Sequence, residues 1–309
     1  MAEVKSGSTL CILGCGNLGK AILTSLIEAA PNDAGALPFT HFIACVRSEK
    51  SEQALKERFS QNSHKLSISR GNNTKALQES DVVILGADPA DIETVLTQPG
   101  VSDALANKLL ISVVAGWTRA KLETTLYGSE TTASNQQQPD GSRRAWVVRT
   151  LPNIAALVSQ SLTAIEISEP ALPDAHLSLV EAVFQRIGRT VRIAPKLMDA
   201  TTAVAGSTPA FFAVICDALV DASVAVGMPR DAASAMIFQS MQGTAAMLQN
   251  GVHPGLLKDQ GTSPEGCTIG GLMVMEEAGV RGHMGRALRE AVTVARLMGK
   301  TEHVNDTRQ

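Results

Sequence analysis

The chain has 309 residues, of which 44% are hydrophobic, so it can form one large domain or two ordinary ones with a substantial core. Its 27 basic and 30 acidic residues give a formal net charge of -3 without a long block of one sign, which argues against a surface built for nucleic acid or an anionic membrane. Aromatic residues make up only 3%, so a base-stacking surface is not expected either, and small molecules are the expected partners.

The amino-terminal stretch MAEVKSGSTL lacks the basic region and apolar core of a secretory signal. No apolar stretch reaches the ~18 residues that a membrane span requires, so a cytoplasmic location is expected. The five cysteines are odd in number and scattered, and Cys11 and Cys15 lack the further cysteines or histidines of a metal site. We therefore expect reduced thiols and no bound metal.

The first half alternates strand-like and helix-like segments, the pattern of a parallel sheet covered by helices. Seven segments predict strands: TLCILG, HFIACV, DVVILGA, KLLISVVAG, AWVVRTLP, LTAIEIS and RTVRIAP. The polar stretch at about 127–144 has no periodicity and predicts a solvent-exposed insertion, because its composition buries little apolar area; the sequence does not decide whether it is ordered. A domain boundary is expected near Lys196, which separates residues 1–195 from residues 196–309.

The second half is rich in Ala and Met and predicts helices. One is expected to begin near Pro209 and end at Gly227, and the next to run from Pro229 to Gly251. Ile237, Met241, Ala245 and Leu248 recur at helical spacing and form one apolar face. That face suits burial against a second subunit or an intramolecular core, and the pattern does not choose between them.

A glycine-rich turn, GCGNLG at residues 14–19, fits the G-x-G-x-x-G pattern. It directly follows a predicted strand and directly precedes a predicted helix, and only in this context is the motif specific for dinucleotide binding. Gly14 permits a tight turn, Gly16 admits a pyrophosphate close to the backbone, and Gly19 allows close helix packing. A structural turn alone needs only one of these glycines, so the stretch predicts dinucleotide binding at a helix amino terminus.

The end of the second strand indicates which nicotinamide dinucleotide fits. NAD sites carry an acid there for the ribose 2′-hydroxyl. This chain has Arg47, Ser48 and Lys50, and Glu49 comes after two candidate phosphate donors. The pattern favours NADPH over NADH, and the alternative is that the charges are ordinary solvated side chains.

Two later stretches, AGSTPAFF at 205–212 and TSPEGCTIGGL at 262–272, place Ser or Thr before a Pro expected to start a helix. Hydroxyls and free N–H groups at such a start suit a carboxylate guest. Both stretches are equally explained as well-capped helix starts.

These blocks resemble the pyrroline-5-carboxylate reductase family. AGSTPAF, HPGLLKDQGTSPEGCT and MEEAGVRG are similar to the carboxyl-terminal signature of that family, and GCGNLGKAI, DVVILGADP, ISVVAG and VRTLPN to its amino-terminal blocks. The resemblance covers nearly the whole chain apart from the polar insertion.

The resemblance implies an α/β Rossmann-type amino-terminal domain and an all-α carboxyl-terminal dimerisation domain that also holds substrate. It implies NAD(P)H-dependent reduction of the cyclic imine pyrroline-5-carboxylate to proline by a homodimer or larger homo-oligomer. For the cofactor it implies contacts from Gly14, Gly16, Asn17, Leu18, Gly19, Arg47, Ser48, Asn73, Ala87, Pro89, Ala115 and Gly116. For the substrate carboxylate it implies Ser263, Gly266, Cys267 and Thr268, with the Thr268 hydroxyl near the ring nitrogen as the catalytic group.

Three positions depart from the family pattern: Asp88 stands for a lysine, and Thr208 and Glu265 stand for glycines. Asp88 removes a positive charge near the cofactor or caps a helix before Pro89. Glu265 suits the helix dipole but repels an anionic guest if it faces inward. The alternatives are therefore a reductase of a related cyclic imine, a hydroxyacid dehydrogenase, and a catalytically weak NADP-binding sensor or partner subunit.

Overall fold

The computed structural model of the chain describes residues 5–28, 37–132, 134–136, 143–167 and 169–298. The chain divides into two compact units. The first, here called the sheet unit, comprises Met1–Gly206 and Val294–Gln309, and the helical unit comprises Ser207–Thr293. The domain boundary near Lys196 stays a prediction from composition.

The sheet unit is built on eight strands. They are β1 (Ser8–Leu13), β2 (Phe39–Val46), β3 (Leu66–Arg70), β4 (Val82–Leu85), β5 (Leu109–Ser112), β6 (Trp146–Leu151), β7 (Ser161–Glu166) and β8 (Gly188–Ile193). Their order across the sheet is β3-β2-β1-β4-β5-β6-β7-β8. From β1 to β3 the strands are added toward one edge of the sheet, and the chain then returns to place β4 on the other side of β1. Such a change in the order of strands opens a binding crevice at the carboxyl ends of β1 and its neighbours.

Two features of the sheet differ from the sequence prediction. The segment LSISR was not predicted, yet it pairs with β2 as the edge strand β3, with Phe42 opposite Leu66. The sheet is also not wholly parallel, because β6 pairs with β7 in the antiparallel sense, with Thr150 opposite Ile165. The short turn at Ile154–Val158 between those two strands explains the reversal, since a parallel pair needs a much longer crossover.

Hydrophobic residues cover both faces of the sheet. Along β1, Leu10 and Ile12 belong to one buried cluster, whereas Cys11 and Leu13 belong to the other. Alternate side chains of a strand point to opposite faces, so a continuous apolar run is what a strand buried on both sides requires.

Seven helices cover the sheet within the described residues. They are α1 (Asn17–Glu28), α2 (Glu49–Arg58), α3 (Asn73–Gln78), α4 (Ile92–Leu96), α5 (Val101–Ala104), α6 (Arg119–Tyr127) and α7 (Asp174–Gln185). The amphipathic α1 packs on the sheet because Ile22, Leu23 and Leu26 fall on one buried side.

Part of the polar segment at 127–144 lies outside the described residues, namely 133 and 137–142. The described part is hydrogen-bonded rather than merely exposed. The Thr131 amide donates to the buried Glu123 carboxylate at 2.9 Å, and the Gln136 side chain donates to the Arg144 carbonyl at 2.9 Å. For these residues, polar contacts within the sheet unit take the place of apolar burial.

The helical region begins in the sheet unit with α8 (Met198–Thr201) and continues through a π-helical turn, Thr202–Ser207. The helical unit contains α9 (Thr208–Ala225), α10 (Arg230–Gln249), α11 (Pro254–Gln260) and α12 (Cys267–Glu277). The last helix, α13 (Val280–Leu297), starts in the helical unit. As predicted, the described residues after Lys196 form no strand.

One helical run, Pro195–Ala225, is long and apolar enough to cross a membrane by length and composition, with a mean hydropathy of 1.7 in its best window. The expectation that no segment would pass this test is therefore wrong. Only 17% of that window is buried, and a single such helix is weak evidence for a membrane span.

The helical unit leaves much apolar surface exposed. Phe212, Met236, Phe238, Met273 and Val274 are each more than half exposed, whereas its fully buried hydrophobic side chains are few. Apolar patches of this extent mark an interaction surface. Packing within one chain therefore does not account for the Ala- and Met-rich faces.

Candidate active site

The glycine-rich turn lies at the carboxyl end of β1, where two neighbouring strands hold it. The Cys15 amide donates to the Cys45 carbonyl of β2 at 2.8 Å, and the Gly86 amide after β4 donates to the Leu13 carbonyl at 2.9 Å. Gly14 has a φ of +95°, and a Cβ there would lie 2.3 Å from the backbone nitrogen of Ala87. Only glycine fits this position.

Gly16 differs from Gly14, because a Cβ at Gly16 would meet nothing within 4 Å. The glycine is therefore not required by packing inside the protein, and the backbone here is open to a ligand, as the motif predicts. The open position lies directly before α1, whose first N–H groups at Asn17 and Leu18 have no carbonyl of their own helix to bind.

The cysteine inside the turn is uncharged. Burial raises the pKa of the Cys15 thiol to about 12, so no thiolate is present near neutral pH. The cradle thus consists of backbone N–H groups and a neutral side chain, which suits an anionic pyrophosphate.

The predicted 2′-phosphate ligands lie at the end of β2. Ser48 is the N-cap of α2 and its hydroxyl accepts from the Ser51 amide at 3.1 Å, while the Ser48 and Ser51 hydroxyl oxygens are 2.9 Å apart. Arg47 is highly exposed and forms an ion pair with Asp91. Two hydroxyls, a helix amino terminus and a guanidinium group therefore meet at one sheet edge.

The other predicted cofactor residues follow β3, β4 and β5 at the same sheet edge. Asn73 is the first residue of α3, and its side-chain amide donates to the Gln98 oxygen at 3.2 Å. Ala87 touches the glycine turn, as described above. Ala115 and Gly116 follow β5, and Gly116 has a φ of +75°.

Pro89 is fixed by a residue that sequence reasoning missed. The indole nitrogen of Trp117 donates to the Pro89 carbonyl at 3.0 Å, and the Lys121 ammonium lies 4.0 Å from the centre of the same ring. Trp117 is 5% exposed. The sequence did hold a signal for Trp117, because it directly follows the predicted cofactor residue Gly116. A buried Trp at such a position usually donates its N–H to a nearby acceptor.

Asp88 closes a local turn. Its carboxylate accepts from the Ala90 amide at 3.0 Å, and the Asp91 amide donates to the Asp88 carbonyl at 2.9 Å. The side chain therefore caps a turn around Pro89 rather than the first turn of a helix.

In the helical unit, TSPEGCT forms the entry to α12. The helix begins at Cys267 with Gly266 as N-cap, not at Pro264 as predicted, and the Gly266 amide donates to the Ser263 carbonyl at 3.1 Å. A Cβ at Gly266 would lie 2.5 Å from the Ser263 hydroxyl oxygen. The residues predicted for the substrate carboxylate, Ser263, Gly266, Cys267 and Thr268, are thus brought together at one helix amino terminus.

Glu265 occupies a left-handed backbone position, with a φ of +57°. This is the position where the family pattern has a glycine, and the conformation gives the physical reason for that glycine. The Glu265 side chain is exposed.

The α-helix α9 begins within the block AGSTP with Pro209 in its first turn, as predicted, but the block does not present the free N–H groups expected there. Ser207 has helical backbone angles and makes no side-chain capping bond, because the π-helical turn Thr202–Ser207 leads directly into α9. Pro209 is tolerated near the beginning of α9. Because the residues upstream are already helical, the N–H groups of this block are not free for a ligand in the way that the prediction expected.

A buried charge cluster was also missed. Arg149 on β6 is 2% exposed and lies 3.8 Å from Glu166 on β7 and 3.3 Å from Asp199 on α8. Burial raises the pKa of Glu166, and Arg149 opposes that rise. The sequence offered only the arginine in VRTLPN as a signal, since the partners are distant in the chain.

Within the part of the chain that the structure describes, no group of three or more His, Cys, Asp or Glu side chains could hold a metal ion. Among the described cysteines, Cys11, Cys15, Cys45 and Cys216 are buried free thiols and Cys267 is an exposed one.

A glycine turn between a parallel strand and a helix, with cationic and hydroxyl groups at the end of the next strand, defines a dinucleotide-dependent oxidoreductase on a Rossmann-type sheet. Two family profiles match the chain: NADP oxidoreductase, coenzyme F420-dependent, over residues 9–116, and pyrroline-5-carboxylate reductase dimerisation over residues 195–298.

The chain is 42% identical to a pyrroline-5-carboxylate reductase of Lophium arboricola over 99% of both chains, and 37% identical to one of Neurospora crassa over 99% of this chain and 98% of that one. It therefore belongs to the pyrroline-5-carboxylate reductase family, and it is an NAD(P)-dependent oxidoreductase that acts on CH–NH bonds. A Plasmodium falciparum pyrroline carboxylate reductase structure with NADP bound has the same fold, with a TM-score of 0.77 at 22% identity, covering 96% of this chain and 100% of that one.

Proposed function

We propose that this protein reduces the C=N bond of 1-pyrroline-5-carboxylate to give L-proline, with NADPH as the reductant, in proline biosynthesis. The observation that carries the proposal is the similarity to pyrroline-5-carboxylate reductases over 99% of the chain, which spans both units and not the sheet alone.

The sheet unit fits a dinucleotide, because Gly14 is packed against Ala87 while Gly16 leaves open space in front of α1. In this proposal the turn residues 14–19 hold the pyrophosphate, and Arg47 and Ser48 hold the 2′-phosphate. Asn73, Ala87, Pro89, Ala115 and Gly116 complete the cofactor contacts. NADPH supplies the hydride that adds to the imine carbon.

The entry to α12 is the proposed substrate cradle. Gly266 is the N-cap, so the N–H groups of Cys267 and Thr268 begin the helix and are directed away from it. They would bind the substrate carboxylate together with Ser263. The Thr268 hydroxyl would donate to the ring nitrogen and keep it polarised, which is the contribution a proton donor makes to imine reduction.

Cys267 is not assigned a covalent role, although its thiol is exposed. Reduction of an iminium carbon needs alignment of donor and acceptor and requires no covalent enzyme intermediate.

The exposed apolar faces of α9, α10 and α12 support a homodimer or a higher homo-oligomer. The profile that matches residues 195–298 is that of a dimerisation domain, and a second copy of this chain would cover side chains such as Phe212 and Met273. This arrangement also accounts for the apolar run Pro195–Ala225 without a membrane, so we place the enzyme in the cytoplasm.

A second candidate is reduction of a related cyclic imine, such as a methylated pyrroline or a six-membered piperideine carboxylate. Glu265 favours it, because a carboxylate stands directly before the N-cap of the proposed cradle where the family pattern has glycine.

The test is NADPH oxidation by the purified protein with pyrroline-5-carboxylate, piperideine carboxylates and substituted pyrrolines side by side. We expect the highest kcat/KM with pyrroline-5-carboxylate. A higher value with another imine would favour the second candidate. Inertness toward every imine in a protein that binds NADPH would reject the reductase assignment.

A further inference from the structure

An ion pair joins two loops at the carboxyl edge of the sheet. Nη1 of Arg47, directly after β2, lies 2.6 Å from Oδ2 of Asp91, which precedes α4 in the loop after β4. Because β1 lies between β2 and β4 in the sheet, the pair spans the end of the strand that leads into the glycine turn.

Within the part of the chain that the structure describes, Asp91 is the acid that forms an ion pair with Arg47. The Glu52 carboxylate on α2 is paired with two other cations, since it lies 2.7 Å from Lys56 and 2.6 Å from Arg70. The Arg47 side chain is 86% exposed and that of Asp91 is 42% exposed, so both are open to a ligand.

We propose that Asp91 is a specificity-determining residue that lowers the preference for NADPH over NADH by competing with the 2′-phosphate for Arg47. This inference rests on the proposed function, since it concerns the cofactor of that same site. A 2′-phosphate brings further negative charge to the guanidinium group, and Asp91 opposes it.

The same carboxylate favours the other cofactor. A ribose 2′-hydroxyl is both a donor and an acceptor, so Asp91 can accept from it while Arg47 donates to it. NAD sites usually carry an acid at the end of the second strand. This chain has Arg47 there, and the loop after β4 supplies the acid from the other side.

The test compares binding of 2′,5′-ADP with binding of 5′-AMP by calorimetry, and of NADPH with NADH by fluorescence, for the wild-type protein, Asp91→Asn and Asp91→Ala. We expect both variants to shift the affinity ratio about two- to fivefold toward the 2′-phosphorylated ligand, the effect of one exposed charge. The shift should shrink at high salt.

Glu93→Gln is the matched control, because it removes an exposed charge two residues away on α4. It should leave the ratio close to the wild-type value. In an Arg47→Gln background, Asp91→Asn should have a much smaller effect, since the shared guanidinium group is gone.

Two results would overturn the inference: an unchanged ratio in both Asp91 variants, or weaker 2′,5′-ADP binding in Asp91→Ala alone, which would make Asp91 a residue that positions Arg47. A wild-type protein that bound none of the four nucleotides would instead reject the proposed cofactor site, and the inference with it. If the wild-type protein binds 2′,5′-ADP but the Asp91 variants leave the affinity ratio unchanged, only the role of Asp91 is rejected.

Discussion

Gly14 approaches Ala87 so closely that a Cβ on Gly14 would lie 2.3 Å from the Ala87 amide nitrogen. The turn after β1 and the loop after β4 are thus packed backbone against backbone, and this contact fixes the shape of the proposed pyrophosphate cradle. Gly16, two residues later, faces open space.

This contrast predicts different effects of alanine at the two positions. Gly14→Ala should lower the free energy of unfolding by about 2 kcal/mol or more, because it combines a positive φ with a backbone clash. Gly16→Ala should leave stability nearly unchanged but weaken NADPH binding. Thermal unfolding and NADPH fluorescence titration measure the two effects, and equal destabilisation by both variants would contradict the assignment of Gly16 to the ligand.

Thr268→Ala should lower kcat about a hundredfold, the contribution of a lost proton donor, while the Kd for NADPH changes little. Thr268→Ser keeps the hydroxyl and should restore most of the activity. Cys267→Ala, one residue earlier on α12, is the control and should retain turnover. Parallel loss of kcat and NADPH affinity in Thr268→Ala would assign Thr268 a structural role instead.

Glu265→Gly should lower KM for a cyclic imine carboxylate, because it removes a negative charge directly before the proposed cradle. It should also raise the free energy of unfolding by about 1 kcal/mol or less, since glycine adopts the left-handed backbone without strain. Steady-state kinetics and chemical denaturation check the two parts, with Glu277→Gln at the other end of α12 as the charge control. Unchanged kinetics for every imine would mean that Glu265 does not act on the substrate.

His176 predicts a pH effect on stability. Burial lowers its pKa below the usual 6.5, and its Nδ1 has no hydrogen-bond partner. The folded protein therefore binds fewer protons at this site than the unfolded chain, so the contribution of His176 to stability is present above pH 6.5 and is lost as the pH falls below it. His176→Gln should weaken the pH dependence of the free energy of unfolding in that acidic range, whereas His64→Gln, at an exposed position, should leave it unchanged. An acid dependence that is the same in wild type and His176→Gln would contradict this origin.

Much of the sheet unit could be predicted because its signals are local. A glycine turn between an apolar strand and a helix needs only neighbouring residues to be recognised, and both GCGNLG and the end of β2 lie where such local signals predict. The edge strand β3 was missed because LSISR is short and half polar. The antiparallel β7 depends on a turn whose direction no periodicity encodes.

The features that the sequence did not predict depend on distant partners or on backbone angles. The block AGSTP has the residues of a helix start, but an upstream helix already occupies its N–H groups. The Arg47–Asp91 and Arg149–Asp199 pairs join residues that only the fold brings together. The left-handed angle of Glu265 is likewise invisible in the residue itself, because glutamate rarely adopts it.

The most direct test of the central claim is the simultaneous measurement of NADPH consumed and proline formed when the purified protein is mixed with pyrroline-5-carboxylate. The account predicts equimolar NADPH loss and proline gain, and a rate that falls about a hundredfold in Thr268→Ala. Proline formation that does not depend on NADPH, or no proline from protein that binds NADPH, would contradict it.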